Sequence, residues 1–284
     1  MEEETPTPGQ LSKTVSPLKV IVALHSNRVL RMTFVHALRL AYASKGELEI
    51  VDVRSSVERK EIIGVREYLE KWKVLGLESK RSDVVSVGLR VKKVVQKGDM
   101  RHSVVNRLKR RSHDLLVVGT ESRHSHGGII SQSPAAYLAD YFHHTTLFVP
   151  SESRPFVDDA TGEVSLRRVL VPVESESFFE PAILYLGKLV SLFSDLSVEV
   201  VVVHSGTDFP KLSYGYDRRF TWTEELRSEP VVEAINNVAE NFNCDLVVMS
   251  TKGRDTIARK LVGSNTEQIL RKISCPVLSV AMWE

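Results

Sequence analysis

The chain is poor in cysteine: 284 residues hold two, Cys244 and Cys275. So small a supply excludes a disulfide framework. Each cysteine stands just before an apolar run, which fits reduced, buried thiols in a cytoplasmic protein. Charge of one sign is also lacking. A formal net charge of +2 leaves no general field to draw nucleic acid. The densest basic run, Arg107–Arg111 (RLKRR), reads as the solvated end of a helix, where cations suit the negative end of the dipole. No apolar run approaches the ~18 residues of a membrane span, so no membrane role is expected. The opening MEEETPTPGQ is acidic and proline-containing, the reverse of a targeting signal, and residues 1–16 read as a disordered arm. There is no G-x4-G-K-[ST] loop, so P-loop hydrolysis is unsupported. His124, His126, His143 and His144 have no cysteine or carboxylate at metal-ligand spacing and read as surface or cap residues. No metal site and no catalytic residue is assigned, since chain order supports no Ser–His–Asp set.

What the chain does have is an internal repeat. Residues 114–149 and 245–280 align without a gap, pairing Asp114 with Asp245, Ser133 with Ser264 and Leu147 with Leu278. A chain of this length suits two domains. The boundaries fall at 17–150 and 166–284, with the polar, turn-rich 151–165 as linker. Leu18–His25 is a continuous apolar run, suited to a strand buried on both faces, and Arg167–Glu174 repeats it. Strands follow at Glu47–Val53 and Val198–Ser205, at Asp83–Gln96 and Arg219–Leu226, at Asp114–Thr120 and Asp245–Thr251, and at 145–150 and 276–280. Between them lie helical patterns. One places Leu30, Phe34, Leu38, Ala41 and Tyr42 on a single face. Another, Glu61–Leu75, turns Val65, Leu69, Trp72 and Leu75 inward. Ser177–Phe193 is a third, with Pro181 placed in its first turn. His25 to Asp114 spans 89 positions and Glu174 to Asp245 spans 71, so the second copy lacks the equivalent of the Glu61–Leu75 helix. Trp72 and Trp222 read as packing residues. The alternation of strands and helices makes the fold class α/β: two tandem doubly wound, parallel, five-stranded sheets. Ligands bind such sheets beyond the strand carboxyl ends, at the topological switch point.

The residues at that point in the second copy are Ser250–Ser264, STKGRDTIARKLVGS. Gly253 and Gly263–Ser264 bracket nine residues. Glycines there would let backbone N–H groups approach phosphate oxygens, and Gly263–Ser264 would sit at a helix N-terminus, which attracts anions. Ser264 with Glu267 is also a capping box, so a turn and an ordinary helix cap account for the same residues without a ligand.

Strand, G-x2-G, nine residues, G-[ST], helix and PVLSV together resemble the universal stress protein family. The likeness covers nearly all of residues 17–284 and is most specific from Cys244 to Val280. It implies an adenine nucleotide α-hydrolase-like fold in both halves. It also implies an intramolecular pseudo-dimer in which residues 145–150 pair with 275–280, with Leu147, Val149, Leu278 and Val280 at the seam. Further, it implies a site for ATP, or for AMP or ADP, with Mg²⁺ accompanying the phosphates. The family motif maps onto Gly253, Gly263 and Ser264, with Thr251 beside them, while Ser250 stands where the first glycine is expected. Pro172, Val173 and Glu174 match the turn close to the adenosine, and Ser205 the residue lining the adenine pocket. The first copy departs further. Gly119 and Ser133 match, but Ser122 and Gln132 replace glycines, Gly127–Gly128 lies out of register, His25 takes the acidic position, and Asp52–Val53 replaces the strand-two ending. A weak or silent first site is therefore expected.

Three functions fit. The first is a regulatory protein that binds adenine nucleotide in its C-terminal domain and signals to a protein partner. The second is a slow ATPase with Asp255 as the one general base near the loop. The third is a nucleotide-free interaction scaffold. The family is named for induction under stress, which implies physiology and not a reaction. A homodimer is compatible with all three.

Overall fold

A computed structural model describes residues 16–25, 30–54, 64–97, 100–120, 144–215, 217–252 and 267–282. The first half contains β1 (Lys19–His25), α1 (Leu30–Ala43), β2 (Glu47–Arg54), α2 (Val65–Lys71), α3 (Arg81–Ser86), β3 (Arg90–Lys97), α4 (Met100–Arg110), β4 (Leu115–Thr120) and β5 (Thr146–Pro150). The second contains β6 (Arg168–Pro172), α5 (Glu176–Val190), β7 (Val198–Ser205), β8 (Phe220–Arg227), α6 (Val231–Asn241), β9 (Leu246–Lys252), α7 (Glu267–Lys272) and β10 (Val277–Met282). All strands join one sheet in the order β3-β2-β1-β4-β5-β10-β9-β6-β7-β8. Within each half the pairing is parallel, and the order reverses beside β1 and beside β6.

The halves meet where β5 and β10 run antiparallel, with Leu147 opposite Leu278, Phe148 opposite Val277 and Thr146 opposite Ser279. Leu147, Val149, Leu278 and Val280 are all buried there, as the resemblance implied. The pairing removes two edges that would otherwise invite aggregation. Strand residues alternate between two cores, one on each face of the sheet. Val20, Val22 and Leu24 join the face covered by α1, α2 and α5, whereas Ile21 and Ala23 join the face covered by α4, α6 and α7. Both cores draw residues from both halves, so packing is continuous across the seam. Tyr185 on α5 also donates to the Asp114 carbonyl of the first half, at 3.2 Å.

Three sequence expectations change. The strand expected to begin at Asp83 begins at Arg90, because Asp83 lies inside α3, where its carboxylate accepts the Lys80 N–H at 2.7 Å. Gly88, at φ +85°, then makes the left-handed turn into β3. Pro181 lies beyond the first turn of α5. Its missing N–H leaves the Ser177 carbonyl without its helical partner, at an exposed residue where water can serve instead. The basic run is not simply solvated. Arg107 and Arg111 reach back to Glu49, which is fully buried on β2, and Arg111 also meets Glu47 at 3.0 Å. Burial opposes ionisation of Glu49, but Arg107 and His113 outweigh it and hold the carboxyl below its usual range.

The linker docks on the first half. Phe156, Val157 and Leu166 enter the core, and Phe156 meets the His36 ring edge-on at 4.4 Å. Asp159 is the anchor. Its carboxylate accepts from Arg31 Nε at 2.7 Å, Tyr68 Oη at 2.8 Å and Lys71 Nζ at 2.5 Å, and its carbonyl accepts from Trp72 Nε1 at 3.1 Å. Gly162, at φ +72°, lies so close over Trp72 that a β-carbon would stand 2.5 Å from the ring. Tyr68, Lys71 and Trp72 belong to the helix, and the turn ending it, that the second copy lacks. The extra length of the first copy therefore serves as the cradle for the linker. In the second copy, the described residues 206–215 and 217–219 carry no helix, and Phe209, Leu212 and Tyr214 pack on the core directly. The first half's Trp72 and the second half's Trp222 are both packing residues, the latter with Phe179, Tyr214 and Phe220.

The seam predicts that Leu278→Asp abolishes compact folding, since burial of each such side chain contributes about 1.5–3 kcal/mol and an unpaired buried carboxylate adds its own cost. Size-exclusion chromatography and circular dichroism should show an expanded or aggregated chain.

His36 gives a pH prediction. Burial lowers its pKa from 6.5 to about 4, although the Met32 carbonyl at 2.7 Å opposes the shift. The unfolded chain thus binds a proton that the folded one refuses. Stability is full above about pH 6.5 and falls by roughly 3 kcal/mol as pH drops to about 4. The Asp159 clasp persists through that window, because Arg31, Lys71 and Tyr68 outweigh burial and hold its pKa at about 2. Urea melts at pH 7 and pH 4.5 should show this loss in the wild type and a smaller one in His36→Phe.

Candidate functional site

The second half's order reverses between β9 and β6, and there the sheet opens. Among the described residues, the β6–β9 ladder consists of Val169 opposite Leu246 and Leu170 opposite Val247. Beyond those pairs β6 follows β7 as far as Pro172–Val203, while β9 follows β10 as far as Lys252–Met282. The carboxyl-end segments 171–173 and 248–252 thus flank a crevice, where doubly wound sheets bind ligands. The corresponding ladder in the first half is longer, running from Val20–Leu115 to Ala23–Val118.

Apolar β6 ends at Pro172, and Val173 keeps in step with the sheet by donating its N–H to the Val203 carbonyl at 2.9 Å. Val173 is buried and Glu174 is exposed at the rim. Ser175 begins α5 in extended conformation, but its side chain makes no cap hydrogen bond to the helix and instead contacts Ser177 Oγ at 3.0 Å. The positive end of α5 faces the strand ends without that neutralising oxygen. Glu176, one residue on, accepts the Ser213 N–H with both oxygens, at 3.2 and 3.0 Å, and so ties the 206–217 loop to the start of α5. Tyr214, in the same loop, donates to Glu224 and lies 4.8 Å from the Trp222 ring. Burial and the Glu224 carboxylate push its phenol pKa upward, so it stays protonated.

At the end of β7, His204 Nδ1 is 2.9 Å from the Val173 carbonyl and its ring meets Phe209 at 6.1 Å. The chain turns away immediately after, at Gly206, where a β-carbon would stand 2.5 Å from His204 Nε2. The Ser205 hydroxyl donates to the Glu229 carbonyl at 2.6 Å. Thr251 Oγ1 is 3.1 Å from Ser279 Oγ and 3.4 Å from the Val280 carbonyl. Both hydroxyls therefore brace the framework. Ser250, between Met249 and Thr251, is buried and its Oγ has no hydrogen-bond partner among the described residues.

The structure thus brings Pro172, Val173, Glu174, Ser205 and Thr251 to one edge, at the ends of β6, β7 and β9. Gly253, Gly263 and Ser264 lie outside the described residues, as do Asp255, Trp283 and, in the first half, Ser122, His124, His126, Gly127, Gly128, Gln132, Ser133 and His143. In the first half Gly119 lies near the end of β4 opposite Val149, and Asp52 is buried within 3.7 Å of Lys93. His204, Phe209, Glu176 and Ser213 had no place in the sequence-based site. The sequence did display His204 in its VVVHS ending, but nothing in it shows that Glu176 would reach Ser213. Among the described residues no group of three or more His, Cys, Asp or Glu is placed to hold a metal ion. Cys244 and Cys275 are free and buried, and burial pushes both thiols up to about 12, which leaves them protonated and unreactive. No described helix is long and apolar enough to cross a membrane.

This architecture is that of an α/β protein with a topological switch point in each half. Residues 216–281 match the model of the universal stress protein family. A universal stress protein of Methanocaldococcus jannaschii is 40% identical over 58 residues, which are 20% of this chain and 34% of that relative's length. A solved universal stress protein from Archaeoglobus fulgidus superposes with a TM-score of 0.58 at 14% identity, covering 92% of this chain and 95% of its own. A functionally unknown protein from Pseudomonas aeruginosa PAO1 gives a TM-score of 0.61 at 12% identity, with 95% of this chain and 94% of the other covered. Residues 216–281 are therefore similar to a universal stress protein domain, and the whole chain shares the fold of the solved universal stress protein from Archaeoglobus fulgidus.

The bond from Ser205 to Glu229 predicts that Ser205→Ala lowers stability by about 1 kcal/mol, the usual net worth of such a hydrogen bond. A chemical denaturation curve of the ligand-free protein, with unchanged m-value, measures it.

Proposed function

We propose that the C-terminal half binds an adenine nucleotide, ATP or its di- or monophosphate, and that the first half serves mainly as its structural partner. The observation that carries this reading is the crevice between the ends of β6 and β9, opened by a ladder of two residue pairs. The α5 N-terminus stands at its rim without a side-chain cap. The sequence supplies the rest, a G-x9-G-S loop leaving β9. Pro172 and Val173 offer apolar surface to the base, and Glu174 an acceptor for ribose hydroxyls. Backbone N–H groups at Gly253, Gly263 and Ser264 hold the phosphates, with Thr251 and Ser205 bracing the strand ends beneath. Mg²⁺, carried on the phosphates, supplies charge neutralisation when bound. Occupancy changes the surface offered to a protein partner, which requires tighter nucleotide binding in one of the two states. In the first half, side chains at Ser122 and Gln132 and the loss of the acidic residue at His25 weaken the equivalent site.

The purified protein, denatured and analysed by ultraviolet absorbance and mass spectrometry, should release adenine nucleotide. Isothermal titration of stripped protein with Mg·ATP should show binding that Gly263→Val weakens at least tenfold, about 1.4 kcal/mol. No heat with the wild type, or equal affinity in the variant, contradicts the reading.

A further inference from the structure

We propose that Ser250 is a ligand-contact residue of the C-terminal crevice, its hydroxyl hydrogen-bonding an oxygen of the bound molecule. The proposal rests on the nucleotide-binding reading and adds a residue to that site. In the family motif this position is a glycine, which has no side chain to offer; here a hydroxyl stands in its place.

Four observations converge. Ser250 lies on the part of β9 that has left β6, three residues past Val247, where the β6–β9 ladder ends. Strand alternation sets its direction. Leu246 and Val248 enter the core under α1, α2 and α5, whereas Val247 and Met249 face α6 and α7. Ser250 therefore faces the α5 side, which it shares with Val173 at the end of β6. It is 8% exposed, and its Oγ is buried without a hydrogen-bond partner among the described residues. Its register neighbour on β10 is Val280, whose side chain has nothing to offer it. The nearby hydroxyls behave differently, since Ser205 donates to the Glu229 carbonyl and Thr251 contacts Ser279 and Val280.

Buried polar side chains are overwhelmingly hydrogen-bonded in native proteins, because an unpaired one forfeits its hydration without return. An apolar residue such as alanine or valine would fill this strand position without that penalty. A hydroxyl held here, facing the crevice and the uncapped end of α5, has no partner among the described residues and is available to a bound molecule. Serine can donate to an anionic oxygen or exchange hydrogen bonds with a hydroxyl. The ligand chemistry is accordingly an oxygen of a nucleotide, either on phosphate or on ribose.

The test compares wild type, Ser250→Ala and Ser250→Gly by isothermal titration with Mg·ATP, adenosine and tripolyphosphate, alongside thermal melts without ligand. The expected result is an ATP affinity about tenfold weaker in both variants, with a melting temperature in Ser250→Ala equal to or above that of wild type. A residue that only supported the fold would lower both together. If the contact is to phosphate, the loss appears with tripolyphosphate and not with adenosine; if to ribose, the reverse. Unchanged or tighter ATP binding in Ser250→Ala overturns this proposal while leaving the nucleotide-binding reading intact. Absence of ATP binding in the wild type overturns both.

Discussion

The antiparallel pairing of β5 with β10 governs the rest of the molecule. Without it, each half would expose an apolar edge carrying Leu147 and Val149 or Leu278 and Val280. With it, ten strands form one sheet and two cores run unbroken from one half to the other. Because the join is antiparallel, the carboxyl ends of the two sets of strands point to opposite edges. The two switch points are therefore separated by the full height of the sheet, and each must work with the loops of its own half.

The two copies have also been fitted to different mechanical tasks. The first carries α2, and α2 with α1 holds the linker through Asp159, Phe156 and Gly162. An ion pair as exposed as Arg31–Asp159 stabilises little by itself. Here it works with Tyr68, Lys71 and the Trp72 indole on one residue, so the 156–162 part of the linker is fixed to the first half, while Arg154 ties its start to Ser274 and Asn243 of the second. The second copy is trimmed at the same place, and its shorter loop runs past the crevice, tied to α5 by Glu176 and Ser213. One half is built around its connection and the other around an opening.

Much of this was legible in the sequence. Continuous apolar runs marked the buried parallel strands, the repeat fixed two like units, and the 89-against-71 spacing located the extra helix. The failures have physical causes. The α3 turn was read as strand because Val84, Val85 and Val87 are β-branched, while the capping by Asp83 and the turn at Gly88 decide otherwise. RLKRR was read as solvated because one-dimensional periodicity does not show that Glu49, on a strand far away in the chain, would be buried and require counter-charges. The same limit applies at the site. The strand ends could be named from the sequence, but the opening of the β6–β9 ladder, the engaged hydroxyls of Ser205 and Thr251 and the orphan hydroxyl of Ser250 depend on how three strands diverge in space.

The central claim is asymmetry: one competent crevice per chain, in the C-terminal half. Native mass spectrometry of the intact protein, stripped of ligand and titrated with Mg·ATP, tests it most directly. The account predicts saturation at one nucleotide per chain. Two nucleotides per chain, or one that persists when the C-terminal glycine loop is disabled, would contradict it.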